Sequence, residues 1–237
     1  MSEVDYTGPT STPPPPGQRS GYEFARPFTF VFDDPEWVPK VLIGGLFVLA
    51  SFVIVGIFFL LGYMARLMRN VIAGVPKPLP AWDDLGEYFN EGLRLFGVSL
   101  VYTLPVVLLA IAVGIPAGIM SGVDDEMARN LGGCALGSIW CLLVPASFAI
   151  MLFLPAALLW AVTQQRFGAA FEFGEIWSFI KGNIGNYLLA IVVYLVADFV
   201  AGFGIVLLCV GIIFTSFWSY CVKSYAFAEA YRLSGRR

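Results

Sequence analysis

The chain has 237 residues, 58% of them hydrophobic and 13% charged, with a net charge of −3 and a mean hydropathy of +0.78. A soluble domain carries about 25% charged residues, so this composition excludes one and leaves room for about four to six membrane helices at roughly 20 residues each. There is no histidine and no basic run, which removes His-dependent triads, His-ligated zinc or haem, and nucleic-acid binding; no cofactor or metal is expected.

Residues 1–27, rich in Pro, Ser, Thr and Gly, cannot bury enough apolar surface to fold and read as a disordered tail. No charged–apolar–cleavage pattern precedes the first apolar run, so a cleaved signal peptide is not expected. Residues 28–233 form a single membrane domain. A first interfacial helix is expected over about 33–40, with Asp34 as its cap, Pro35 at its first position, and Trp37 and Lys40 as interface anchors. The apolar block 41–61 allows either one span or a short hairpin turning near Ser51–Gly56. Its length favours the span, a repeated pattern described below favours the hairpin, and the hairpin is preferred.

Then comes a polar island, Pro76–Gly97. Trp82, Leu85, Phe89, Leu93 and Phe96 recur three or four apart, which places them on one helix face, with Asp84, Glu87, Glu91 and Arg94 opposite. A helix over 80–96 lying in the membrane interface is expected. The second block, 98–123, contains Pro105 and Pro116, which should kink it; the third, 131–163, contains Pro145 and Pro155. A second amphipathic helix over 172–183 puts Phe173, Ile176, Trp177, Ile180 and Ile184 on one side. The last stretch breaks at Gly202–Gly204 into blocks 187–201 and 205–222, followed by a basic tail of Lys223, Arg232, Arg236 and Arg237.

Three segments share an aromatic and acidic lead-in, a basic residue, a glycine and an apolar run, around Trp37, Trp82 and Trp177. The expected fold is therefore all-α: a polytopic helical bundle of three hairpins, each preceded by an amphipathic interfacial helix. Lys and Arg concentrate in both islands and at the C-terminus, which points to a multi-pass protein of the cell membrane with those parts, and the N-terminus, in the cytoplasm.

The candidate structural or functional residues are Trp82, Asp83 and Asp84 in the island, Arg66 and Arg69 before it, and Asp198, the one acid within an apolar run. Asp198 precedes Gly202 by four residues, so a solvated or capping role near the outer interface is expected. Gly114, Gly118 and Gly122, with Gly133 and Gly137 across the acidic loop, have the spacing that lets helix backbones approach; they are expected to pack the second and third spans, or two copies of the chain. The acidic pairs Asp33-Asp34, Asp83-Asp84 and Asp124-Asp125 are expected to cap helices rather than bind a divalent metal. The four cysteines lie in apolar runs without CxxC spacing and read as small buried residues. Asp124, Asp125 and Arg129 echo an intramembrane protease motif, but the histidines it requires are absent.

Gly44–Leu46, Gly62–Gly74, Leu79–Leu93 (LPAWDDLGEYFNEGL) and Phe173–Ala190 resemble a bacterial and archaeal membrane family, domain of unknown function 4013, over about residues 30–232. The resemblance extends distantly to the membrane domains of some glycerophosphodiester phosphodiesterases, which implies hairpins with amphipathic lead-ins. It implies no catalytic residues. The function expected is non-enzymatic: a scaffold, regulatory or assembly-assisting membrane component. The alternative is a small-solute or lipid transporter or lipid-handling protein. The partners expected are the lipid bilayer and other membrane proteins or a second copy of the chain.

Overall fold

The computed structural model describes residues 21–206 and 211–236. Among them eight α-helices form: α1 (Arg26–Thr29), α2 (Trp37–Ala50), α3 (Val55–Ile72), α4 (Leu85–Ser121), α5 (Glu126–Gln164), α6 (Phe173–Gly182), α7 (Ile184–Gly202) and α8 (Gly211–Leu233). Helices α3, α4, α5 and α7 are long and apolar enough to cross a membrane. The chain is an all-helical, multi-pass membrane protein.

The first apolar block is a hairpin. Helix α2, with 14 residues, rises about 21 Å at roughly 1.5 Å per residue, short of the ~30 Å hydrocarbon core. It passes through a 3₁₀ turn at Ser51–Val53 and reverses at Ile54, where φ is +69°, a region that β-branched residues rarely occupy. The returning helix packs so closely that a Cβ on Gly56 would lie 2.0 Å from the carbonyl oxygen of Phe47. Phe47 and Phe59 stack across the pair, with ring centroids 4.7 Å apart.

Helices α4 and α5 form the second hairpin. Asp84 caps α4 by accepting from the Glu87 N–H at 2.9 Å, and Asp125 caps α5 by accepting from the Ala128 N–H at 2.7 Å, the chemistry expected of acids at a helix start. Each helix continues through its two prolines. The expected separate helix over 80–96 is instead the beginning of the 37-residue α4, because nothing between Gly92 and Val98 breaks the backbone ladder.

Helices α7 and α8 form the third hairpin. Asn183 donates to the Ala230 carbonyl at 2.6 Å near one end, and the Thr215 hydroxyl donates to the Ala201 carbonyl at 3.0 Å near the other. Helix α8 is the centre of the bundle and packs on α2, α3 and α7; Gly44 and Gly45 of α2 lie directly against the rings of Phe217 and Phe214.

Several local expectations are corrected. Residues 22–27 belong to the fold rather than to a tail: Tyr22 and Phe28 pack on the core, Pro27 is buried, and Tyr22 donates toward the Ala226 carbonyl at 3.5 Å. The first lead-in is not a helix over 33–40. It is α1 with a 3₁₀ turn at Phe30–Asp33, set at 111° to α2. Asp34 precedes the cap position and folds back onto the Glu36 N–H at 2.8 Å. The three lead-ins therefore differ, being bent, continuous and separate, and the repeat holds only for the hairpins.

The glycine stripe does not join α4 to α5. A Cβ added at Gly114, Gly118, Gly133 or Gly137 meets nothing within 4 Å, and at Gly122 it meets only preceding carbonyls of α4. The close approach is at Gly132, where a Cβ would lie 2.6 Å from the Ala117 carbonyl oxygen. Spacing by four places residues on one face but does not say which neighbour covers it. Cys134 and Cys141 are exposed on α5 and Cys221 is buried; Cys209 lies outside the described residues.

Candidate functional site

The proline-rich loop before α4 has a backbone problem. Pro76, Pro78 and Pro80 have no N–H, and the extended chain supplies no internal partners for its carbonyls. Four successive carbonyls are met by side chains instead: Pro78 by Asn70 at 2.8 Å, Leu79 by Lys40 at 3.2 Å, Pro80 by Tyr63 at 3.0 Å, and Ala81 by Tyr88. Trp82 closes the arrangement. Its indole N–H donates to the Lys40 carbonyl at 3.0 Å, and its ring stacks on Tyr63 at 4.2 Å and on Phe47 at 4.7 Å. Trp82 is thus the pin that joins the first hairpin to α4.

Lys40 is held in place by Asp34, 2.7 Å away, with both side chains largely buried. Burial alone would raise the Asp34 pKa; the Lys40 and Glu36 hydrogen bonds and the charges of Lys40 and Lys77 outweigh it and keep the carboxyl below the usual aspartate range. A lowered folded pKa stabilises the fold above the unfolded value of about 4 and is lost as pH falls through the folded value. Thermal unfolding followed between pH 6 and pH 3 should show this acid loss, and Asp34→Asn should show less of it. Parallel curves for the two proteins would mean that Asp34 carries no linkage.

One residue of the island's polar side, Glu91, faces inward. Tyr88, Glu91, Gly92 and Leu95 are buried, whereas Leu85 and Leu93 are exposed. The packing side of α4 therefore draws on both expected faces: Glu91 turns in with Tyr88, Phe89 and Phe96 meet Phe58 of α3, and Asp84 and Glu87 stay exposed. Arg66 contacts Glu87 at 3.4 Å and Asp83 at 3.7 Å; Arg69 pairs with Glu91 and reaches Glu87 at 3.5 Å; Arg94 pairs with Glu91 at 2.8 Å and donates to the Gln165 carbonyl at 2.9 Å. The candidates Arg66, Arg69, Asp83 and Asp84 are thus brought together, as ion-pair and capping groups. In the second island the expected apolar face is divided: Ile176 and Ile180 are buried with Phe179, while Phe173, Trp177 and Ile184 are exposed, and Glu175 and Lys181 stay on the surface.

Asp198 is neither a cap nor isolated. It lies inside α7 and accepts from Lys223 at 2.6 Å and from Ser219 at 2.9 Å, while Lys223 also sits 4.8 Å over the Tyr194 ring and 4.6 Å over the Tyr220 ring. Lys223 is not part of a basic tail; it is ten residues inside the end of α8 at Leu233. The sequence signal was the opposite charge on the partner helix, legible only once α7 and α8 are known to pair.

Lys223 of this ion pair lines a crevice of about 410 Å³ between α3, α5, α7 and α8. Its walls are Met64, Met68, Leu154, Leu158 and Phe227, with Tyr194, Tyr220 and Lys223 at one side. It reaches the surface at Ser147 and Tyr220, which are exposed. An apolar cavity of this size suits alkyl chains, and its few polar groups can orient a ligand. Among the described residues no group of three metal-ligating side chains converges; of the three expected pairs, Asp33, Asp34 and Asp83 are ion-pair partners and Asp84 and Asp125 are caps.

No curated protein and no solved structure matches this chain, and the distant likeness to phosphodiesterase membrane domains is not shown by these comparisons. The family model described as Protein of unknown function (DUF4013) matches residues 45–210. That span runs from the middle of α2 through the end of α7 and contains most of the first hairpin, the whole of the second, the proline-rich loop and its Trp82 pin: the chain belongs to the DUF4013 family.

Proposed function

We propose that this protein is a non-enzymatic, lipid-handling membrane component that holds an amphiphile in the crevice between α3, α5, α7 and α8. The observation that carries this reading is an apolar cavity lined by Lys223, whose ammonium pairs with Asp198 of α7. An ionisable pair on helices that cross a membrane is costly and is by default a candidate for function. Most acids of the polar islands are engaged as caps and ion-pair partners, which favours architecture over catalysis. Of the two functions the sequence allows, the crevice favours lipid handling over a scaffold. The Lys and Arg bias assigns the end that carries both islands and the C-terminus to the cytoplasm, with the N-terminal segment beside it through Tyr22 and Ala226.

Native mass spectrometry of the full chain, extracted in mild detergent, tests the reading. The wild type should retain lipid, and Leu154→Trp, which fills the crevice, should lower occupancy about tenfold while the protein stays folded. Absence of retained lipid from the wild type, or equal occupancy in the variant, would sink it.

A further inference from the structure

Beyond the crevice, the ends of α3 and α5 and the end of α8 with the residues that follow it line a second, open-sided cavity of about 570 Å³. It is lined by Arg69, Arg232 and Arg236, with Ile72, Thr163 and Tyr231, and no acidic residue lines it. The two cavities follow one another along the same helices: Met68 lines the first and Ile72 the second on α3, Leu158 and then Thr163 on α5, Phe227 and then Tyr231 on α8. An apolar space is thus succeeded, about 6 Å along each helix, by one ringed with guanidinium groups.

We propose that the Arg69–Arg232–Arg236 cavity binds the phosphate headgroup of an anionic lipid whose chains occupy the crevice; this rests on the lipid-handling reading above. Each arginine is anchored but not exhausted. Arg69 is held by Glu87 and Glu91, Arg232 by Glu229 at 2.7 Å, and Arg236 by Ser178 at 2.8 Å and Glu175 at 3.6 Å. A guanidinium has five N–H donors, and these partners take one or two from each, so donors remain on all three. The acids that orient them belong to α4, α6 and α8 and do not line the cavity. Planar, pre-oriented guanidinium groups are the side chains best suited to phosphate oxygens, and basic pockets between membrane helices hold anionic headgroups. The apolar crevice selects the lipid source over a free anion, because only a lipid fills both spaces.

The test uses the full chain in nanodiscs of phosphatidylcholine alone or with phosphatidic acid or phosphatidylglycerol, and in detergent with inorganic phosphate or glycerol phosphate. Thermal unfolding and native mass spectrometry give the readouts. Anionic lipid should be retained at least tenfold over phosphatidylcholine and should raise Tm. Arg236→Gln, whose acid contact is the longest of the three, should cut that preference at least fivefold with no change in Tm in phosphatidylcholine; Arg232→Gln should cut it likewise, with a lower Tm in both lipids because it removes the partner of the buried Glu229. Retention of lipid with no anionic preference, or with a preference unchanged in both variants, would overturn the headgroup assignment while leaving the crevice reading intact. Loss of all lipid from the wild type would overturn both. Equal stabilisation by soluble phosphate would show a free-anion site and reject the lipid source.

Discussion

Gly92→Ala should cost the fold on the order of 3 kcal/mol, at the upper end of overpacking effects. Helices α3 and α4 cross backbone to backbone. A Cβ on Gly92 would lie 1.6 Å from the Phe58 carbonyl oxygen, and one on Gly62 would lie 2.0 Å from the Tyr88 carbonyl oxygen. A side-chain neighbour could rotate away, but a carbonyl in a helix cannot, so the helices must separate. Separation would also open the Phe58 contacts with Phe89 and Phe96 and lengthen the Arg69–Glu91 pair on the same interface. The better helix propensity of alanine returns at most about 1 kcal/mol, so packing decides the sign. Gly114→Ala, in open space, is the internal control and should match or slightly exceed the wild type. Unfolding in graded denaturing detergent compares them, and a Gly92→Ala protein as stable as Gly114→Ala would mean that this crossing is not the joint described.

Glu91→Leu should be the most damaging replacement of a charged residue, at about 3 kcal/mol, the lower end for breaking a buried ion pair. Glu91 is 8% exposed and is shared by Arg69 and Arg94. Without it, Arg94 loses its acid and keeps only the Gln165 carbonyl, whereas Arg69 retains Glu87 at 3.5 Å. That remaining contact is why the lower end is expected. Because most of the cost is the stranded charge rather than the lost attraction, Arg94→Met with Glu91→Leu should recover part of the stability. A double-mutant cycle measures this coupling, and strictly additive losses would show that the pair is not an energetic unit.

The local features of this protein were legible because they depend on chemistry within a few residues. Composition alone assigns the chain to the membrane. Asp84 and Asp125 cap helices because a carboxylate followed by free backbone N–H groups does so whatever surrounds it. The turn at Ile54 was harder to place exactly, since it uses a positive φ at a residue type that does not advertise one, with no glycine at that position. The three lead-ins look alike in sequence and diverge in structure because their likeness lies in interface chemistry and not in backbone breaks.

The largest revisions share one physical cause. Periodicity determined which residues of α4 lie together, and it set Leu85 and Leu93 apart from Glu87 and Glu91. It could not determine which side meets protein, because lipid accepts an apolar face as readily as a protein core does. Only the tertiary packing decided that Glu91 turns inward to Arg69 and Arg94, that Gly62 and Gly92 rather than Gly114 and Gly118 carry a close crossing, and that Lys223 meets Asp198 beside the crevice. Each depends on a partner from another helix, and the sequence of one helix does not name its neighbour.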